Sequence, residues 1–428
     1  MTTQSPASFL SAFDSWDLRY RVLVSLVCIM LSGAFPSLIT IFGPSVDTMI
    51  WMLILALLGS FWMESPLLSL LRPVAPLVIW MLLYICWGIM AAGYPVFEQG
   101  YRFAFLFLAM TSAMAVVTST PQRLRVFCNA AQWTLVINLA VTLLLMNRPE
   151  YQQDPFFMRL NVDVDSDRFA GLWGNANVAG LVSLVILVMS RWASRVNAWI
   201  GVVCGLLIIY FTASRTAIWI LLGLAPIYLI FLATRKARLN ALWIILVLVV
   251  CGFFTFGTST SRIGSALASN PTIARVLDVT ESHTKEEGGE SRLDVLKLWL
   301  DKLPTEPWYG YGLYTFNGGG VGDVKVARPE FPIVGPHNLY LGIYLDVGFL
   351  GLLTFLWVII FQLNAVRRTH LKPSARRTLF ALCVILLVFS NFNHNMLSDY
   401  PGWIGFALMF LLPSSPALAS QRFDPDRA

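Results

Sequence analysis

Long apolar runs, each closed off by a polar or Gly/Pro-marked connection, recur along almost the entire chain. A helix needs about 20 apolar residues to cross a hydrocarbon core of roughly 30 Å, so each run predicts a membrane span. About twelve can be drawn, at 21–43, 49–71, 74–93, 102–120, 124–146, 169–190, 195–212, 215–233, 239–258, 337–364, 377–397 and 401–417. The pattern predicts an all-α polytopic membrane protein in three parts. Nine spans occupy 1–258, a large, partly helical external loop occupies 259–336, and three more spans with a cytoplasmic tail occupy 337–428. The first run is a full span followed by further spans, which is not the layout of a cleavable signal peptide.

Three external segments interrupt this pattern. The stretch 147–168 mixes Arg148, Tyr151, Phe156, Phe157, Arg159 and Arg168 with acidic residues, a composition suited to lying on a membrane surface. Thr212 to Ala217 forms a tight turn between two apolar runs. The loop 259–336 is far too long for a plain connector. Within it, Leu293, Leu296, Leu300 and Leu303 fall at helical spacing and predict an amphipathic helix that ends before Pro304 and Pro307. Gly310 and Gly312 then mark turns.

Composition agrees with the pattern. Hydrophobic residues make up 57% of the chain and charged residues 13%, about half the charge of an ordinary soluble domain. With a cytoplasmic N-terminus, Arg19 and Arg21, Arg123 and Arg125, Arg235 to Arg238, and the cluster Arg367 to Arg377 all fall inside, as the positive-inside rule requires. Asp163, Asp165, Asp167, Glu281, Glu286, Glu287 and Glu290 fall outside. The net charge of +6 therefore reports topology and gives no case for nucleic-acid binding. Cys28, Cys86, Cys128, Cys204, Cys251 and Cys383 lie inside spans without metal-like spacing, so packing is their expected role.

Candidate chemistry gathers where polar residues meet span ends. Pro336-His337-Asn338-Leu339-Tyr340-Leu341 puts an imidazole at the mouth of a span, suited to chemistry on a lipid-linked substrate or simply to interfacial anchoring. Arg215, in the tight turn, is held near the interface, where a charge is costly unless paired or hydrated; snorkelling is the plainer alternative. Arg292 sits early on the loop helix and could equally form a surface salt bridge with a neighbouring Glu. Arg168 precedes Gly171-Leu172-Trp173-Gly174-Asn175-Ala176-Asn177, a string that suits either polar readout or close helix packing. His283 and His370 fall in solvated stretches, whereas His394 lies near the outer end of the eleventh span. Asp346 lies about 13 Å along the helix axis from His337, where pairing with a buried donor or protonation is expected, in a structural rather than a catalytic role. The four histidines form no metal-ligand spacing.

Taken in order, these strings resemble the O-antigen ligase and polymerase superfamily of bacterial inner membranes. The resemblance rests on Arg168 with Gly171 and Gly174 to Asn177, Ser214-Arg215, Arg292 followed by Trp308-Tyr309-Gly310-Tyr311-Gly312, and Pro336-His337-Asn338 leading to Asp346 and Gly348. Ala176 departs from the Pro often found there. The resemblance implies a GT-C-like membrane fold. One large periplasmic loop between spans nine and ten is similar to the ligase branch, whereas polymerases more often divide that mass over two loops. The implied reaction moves an O-antigen glycan from undecaprenyl diphosphate to lipid A–core, with membrane lipids as surroundings and neither metal nor cofactor. His337, Arg215 and Arg292 are the implied catalytic residues, with Arg168, Asn175, Asn177, Ser214, Asn338 and His394 binding substrate. Arginine forks suit a diphosphate whose charge grows as the glycosidic bond breaks. An O-antigen polymerase of the same superfamily is the first alternative, and a flippase or transporter for lipid-linked glycans the second, although transporters concentrate charged or broken helices near the midplane.

Overall fold

The computed structural model describes residues 18–64, 67–92, 97–147, 171–173, 175–212, 214–232, 297, 300, 308–312, 338–397, 400–415 and 417–418. In chain order its helices are α1 (Leu18–Leu31), α2 (Ala34–Phe42), α3 (Pro44–Glu64), α4 (Leu67–Leu71), α5 (Ala75–Ala92), α6 (Phe97–Val117), α7 (Pro121–Asn147), α8 (Ala176–Met189), α9 (Arg195–Thr212), α10 (Arg215–Leu232), α11 (Leu339–Arg368), α12 (Pro373–Ser390) and α13 (Tyr400–Leu411). Six stretches among the described residues are long and apolar enough to cross a membrane: α3, the α4–α5 stretch, α7, α9, α11 and α12. Parts of α6, α8, α10 and α13 are shorter apolar helices. Among the described residues the protein is thus helical, with the apolar helices of a multi-pass membrane protein. The expected span 239–258 lies outside the described residues, so the count of twelve rests on the sequence.

Helix α13 is apolar all round, and every residue from Pro401 to Leu411 is buried, the behaviour of a central helix. It packs against α1, α6, α8 and α12. Outward-facing positions are apolar as well: Trp199, Trp219, Trp357 and Ile360 are all exposed, as expected of surface meeting lipid. Basic residues collect at one end of the bundle. There the Arg123 guanidinium lies 5.3 Å from the Tyr20 ring centroid and 5.2 Å from that of Phe61, which Arg19 also covers. At the same end, Arg191 Nη2 donates to Ser374 Oγ at 2.6 Å and ties the foot of α8 to the start of α12. A cavity of about 330 Å³ lined by Arg125, Arg191 and Leu418, among others, joins these elements.

The first expected span, 21–43, is broken into α1 and α2. Pro36 has no N–H to offer the Ser32 carbonyl four residues earlier, and Gly33 takes φ 75°. The open ends are met from elsewhere, because an orphaned backbone group in a bilayer costs several kcal/mol. Asn138 Nδ2 on α7 donates to the Ser32 carbonyl at 3.0 Å, and the Trp173 indole donates to the Leu31 carbonyl at 2.9 Å. The Leu172 N–H in turn donates to Asn138 Oδ1 at 2.8 Å. Asn138 is fully buried, and a side chain at Gly33 would meet the Leu172 carbonyl oxygen at 2.7 Å.

Candidate functional site

Helices α8, α10 and α11 all begin at the end of the bundle opposite the basic residues. The foot of α8 is tied to the start of α12, so its own start lies with the end of α12. There Asn338 Nδ2 donates to the Asn391 carbonyl at 3.4 Å, and Tyr340 Oη donates to the Leu387 carbonyl at 3.2 Å. Those bonds bring the start of α11 to the same place. The start of α10 joins through Ser214, whose Oγ donates to Asn177 Oδ1 at 3.2 Å.

Each of these helix starts is capped by a short polar side chain, which satisfies N–H groups that a helix leaves open. Asn175 Oδ1 accepts from the N–H groups of Asn177 at 2.8 Å and Val178 at 3.4 Å. Asn338 Oδ1 accepts from the Leu341 N–H at 3.0 Å. Ser214, fully buried, accepts from the Ala217 N–H at 3.5 Å. Close packing of α8 on α10 explains Gly180, where an added Cβ would lie 2.7 Å from that of Ala217. Arg215 is the first residue of α10 and is half-buried, one position after the Ser214–Asn177 bond. Only residues 213 and 214 separate α9 from α10, so the turn is as tight as the sequence implies.

Of the other expected site residues, Arg168, Arg292 and His337 lie outside the described residues. His394 opens the short turn His394–Leu397 that packs against α11, α12 and α13. Among the described residues no group of three or more His, Cys, Asp or Glu side chains is arranged to hold a metal ion.

Helix α11 is broken at Gly348, with φ 74° and ψ −171°. The Phe349 N–H, whose partner in an unbroken helix would be the Leu345 carbonyl, donates instead to the Trp308 carbonyl at 3.0 Å. The released Leu345 carbonyl accepts from the Tyr311 N–H at 2.7 Å, and the Asp346 carbonyl accepts from the Gly312 N–H at 2.9 Å. The strand-like contact is so close that a Cβ at Gly348 would lie 1.9 Å from the Trp308 oxygen. Helix α5 supports it. Trp87 Nε1 donates to the Tyr309 carbonyl at 2.9 Å, and Tyr84 Oη donates to the Asp346 carboxylate. Asp346 thus has the donor expected of it. Sequence reasoning missed Tyr84, Trp87 and Asn391, because one sequence carries no sign of which spans are neighbours. Asn138 could have been found as a carboxamide in the middle of an apolar run.

Residues 200–356 match a protein family described as O-antigen ligase. The match takes in the Ser214–Arg215 turn, the docked segment 308–312 and the break at Gly348. No curated protein matches the chain in a sequence search. Over residues 200–356, and with its helical membrane architecture, the chain is thus similar to the O-antigen ligase and polymerase superfamily, whose members are glycosyltransferase-like enzymes.

Proposed function

We propose that the protein is an O-antigen ligase of the bacterial inner membrane, working at the periplasmic face. It would transfer glycan from undecaprenyl diphosphate to a sugar hydroxyl of lipid A–core. The observation that carries this reading is the Ser214–Asn177 bond, which sets Arg215 at the first turn of α10 beside the capped start of α8. An anion at this end of the bundle meets the positive ends of helix dipoles as well as a guanidinium.

In this reading the acceptor hydroxyl oxygen attacks the anomeric carbon on the side opposite the diphosphate, and that centre inverts. His337 takes the hydroxyl proton as general base, a role worth about 10²–10⁴-fold. The bond from the anomeric carbon to the diphosphate oxygen breaks, and its electron pair leaves with the diphosphate. Arg215 and Arg292 bind those oxygens, with Arg168, Asn175, Asn177, Ser214, Asn338 and His394 contacting substrate around them. The arginines hold the growing charge more tightly in the transition state than in the ground state.

The test is turnover by purified protein in detergent micelles, where no gradient exists to drive transport. Glycan appearing on added lipid A–core supports the ligase. Glycan lengthening on the lipid diphosphate assigns the polymerase reaction instead. Transfer of neither kind by folded protein removes the glycosyltransferase reading and favours a carrier.

A further inference from the structure

The break in α11 and the segment seated in it complete one another. An unbroken helix would pair Phe349 N–H with the Leu345 carbonyl; here the Trp308–Gly312 segment supplies a partner to each of these groups and to the Asp346 carbonyl. Removing the segment would leave three backbone groups orphaned, or let α11 close into a straight helix. A straight α11 would redirect its first part, Leu339–Val347, and with it the capped start at Asn338. Contacts from α5 hold the seat from the other side, through the Trp87 indole and through Tyr84 on the Asp346 carboxylate. The rings of the segment lie at the rim of the bundle, with Trp308 61% exposed and Tyr309 45% exposed, whereas Gly310 and Gly312 are buried, as are Leu345 and Gly348 opposite them.

We propose that the Trp308–Gly312 segment is a positioning element: seated at Gly348, it keeps α11 open and thereby aims the helix start that carries His337 and Asn338. Tyr84, Trp87, Asp346 and Gly348 act through it and touch no substrate. The part concerning transfer rests on the glycosyltransferase reading above, whereas the coupling of seat and break does not.

Hydrogen exchange read by mass spectrometry, in parallel with transfer kinetics in micelles, tests both parts. Gly348→Ala places a methyl group on the Trp308 carbonyl and disfavours the left-handed backbone. Exchange protection at Tyr311 and Gly312 should be lost, while α13 stays protected as the control for intact folding. Transfer per donor-binding molecule should fall about 100-fold, the usual cost of misplacing a reacting group by about an ångström. The apparent affinity for the donor should fall far less than transfer does, since Arg215 is on a different helix and of these contacts Asn338 moves with α11. Trp87→Phe removes one hydrogen bond, so protection should fall about five-fold and transfer should fall only slightly. Asp346→Asn keeps an acceptor for Tyr84 and should preserve both readouts, whereas Asp346→Leu should lose both.

Protection that survives Gly348→Ala overturns the coupling of seat and break. Lost protection with unchanged transfer per donor-binding molecule overturns the positioning role. A wild-type protein that transfers nothing removes the glycosyltransferase reading, and the exchange of Tyr311 and Gly312 then still decides whether the segment holds the helix open.

Discussion

Two apolar helical stretches are interrupted at a positive-φ glycine, Gly33 between α1 and α2 and Gly348 within α11, and a passing segment fills each gap. The fillings differ in kind. At Gly33 the groups are side chains, the Asn138 carboxamide and the Trp173 indole, both buried. At Gly348 they are backbone groups of residues 308–312, with exposed rings on either side. A side chain buried in the bundle specifies a permanent joint, because its loss leaves a polar group with neither water nor protein to satisfy it. A backbone joint depends on glycine for its closeness and can open where α11 closes into a straight helix, which re-pairs the freed groups. The first suits the frame of the bundle and the second suits the positioning role proposed for the segment.

The largest effect should come from Asn138→Leu. It removes the donor to Ser32 and the acceptor for Leu172, so folded stability in micelles should drop by on the order of 2–5 kcal/mol, read as a lowered unfolding midpoint. A midpoint close to wild type would mean that the first joint is no stronger than the second. The matched pair Trp173→Phe and Trp87→Phe sharpens the same contrast. Each deletes one indole donor to a backbone carbonyl, yet the first should cost about 1–3 kcal/mol and the second about 0.5–1 kcal/mol. Equal losses would erase the distinction between buried and rim joints. Smaller still, Asn175→Ala should cost about 1 kcal/mol, the usual loss of a helix cap, detectable as a shift in the same midpoint. No change in transfer is expected with EDTA or added magnesium, and activity restored by one divalent ion would put carboxylates into the site.

The sequence made the helices legible where apolar runs end in proline or glycine. Pro44, Pro121 and Pro373 each open a helix at its first residue, and the Thr212–Ala217 turn lies where expected. The break near Gly33 was written in Pro36, but within an apolar run of full span length the hydropathy outvoted it. The kink at Gly348 left even less trace, since what stabilises it is a segment more than thirty residues away in the chain. For the site, the capping residues were legible by type: Asn and Ser ahead of apolar runs are helix starts. Their gathering at one end was not, because the bonds that achieve it, Ser214 to Asn177 and Asn338 to Asn391, cross between helices.

The central claim is that the capped helix starts form a diphosphate site with Arg215 as a ligand. Lysine keeps the charge at that position and discards the planar fork, so Arg215→Lys separates the claim from a merely positive surface. The measurement is transfer of glycan to lipid A–core by wild type and Arg215→Lys at equal amounts of folded protein. The account predicts a severe loss, about 100-fold or more for a displaced transition-state contact. Transfer at the wild-type rate would contradict it and return Arg215 to the role of an interfacial anchor.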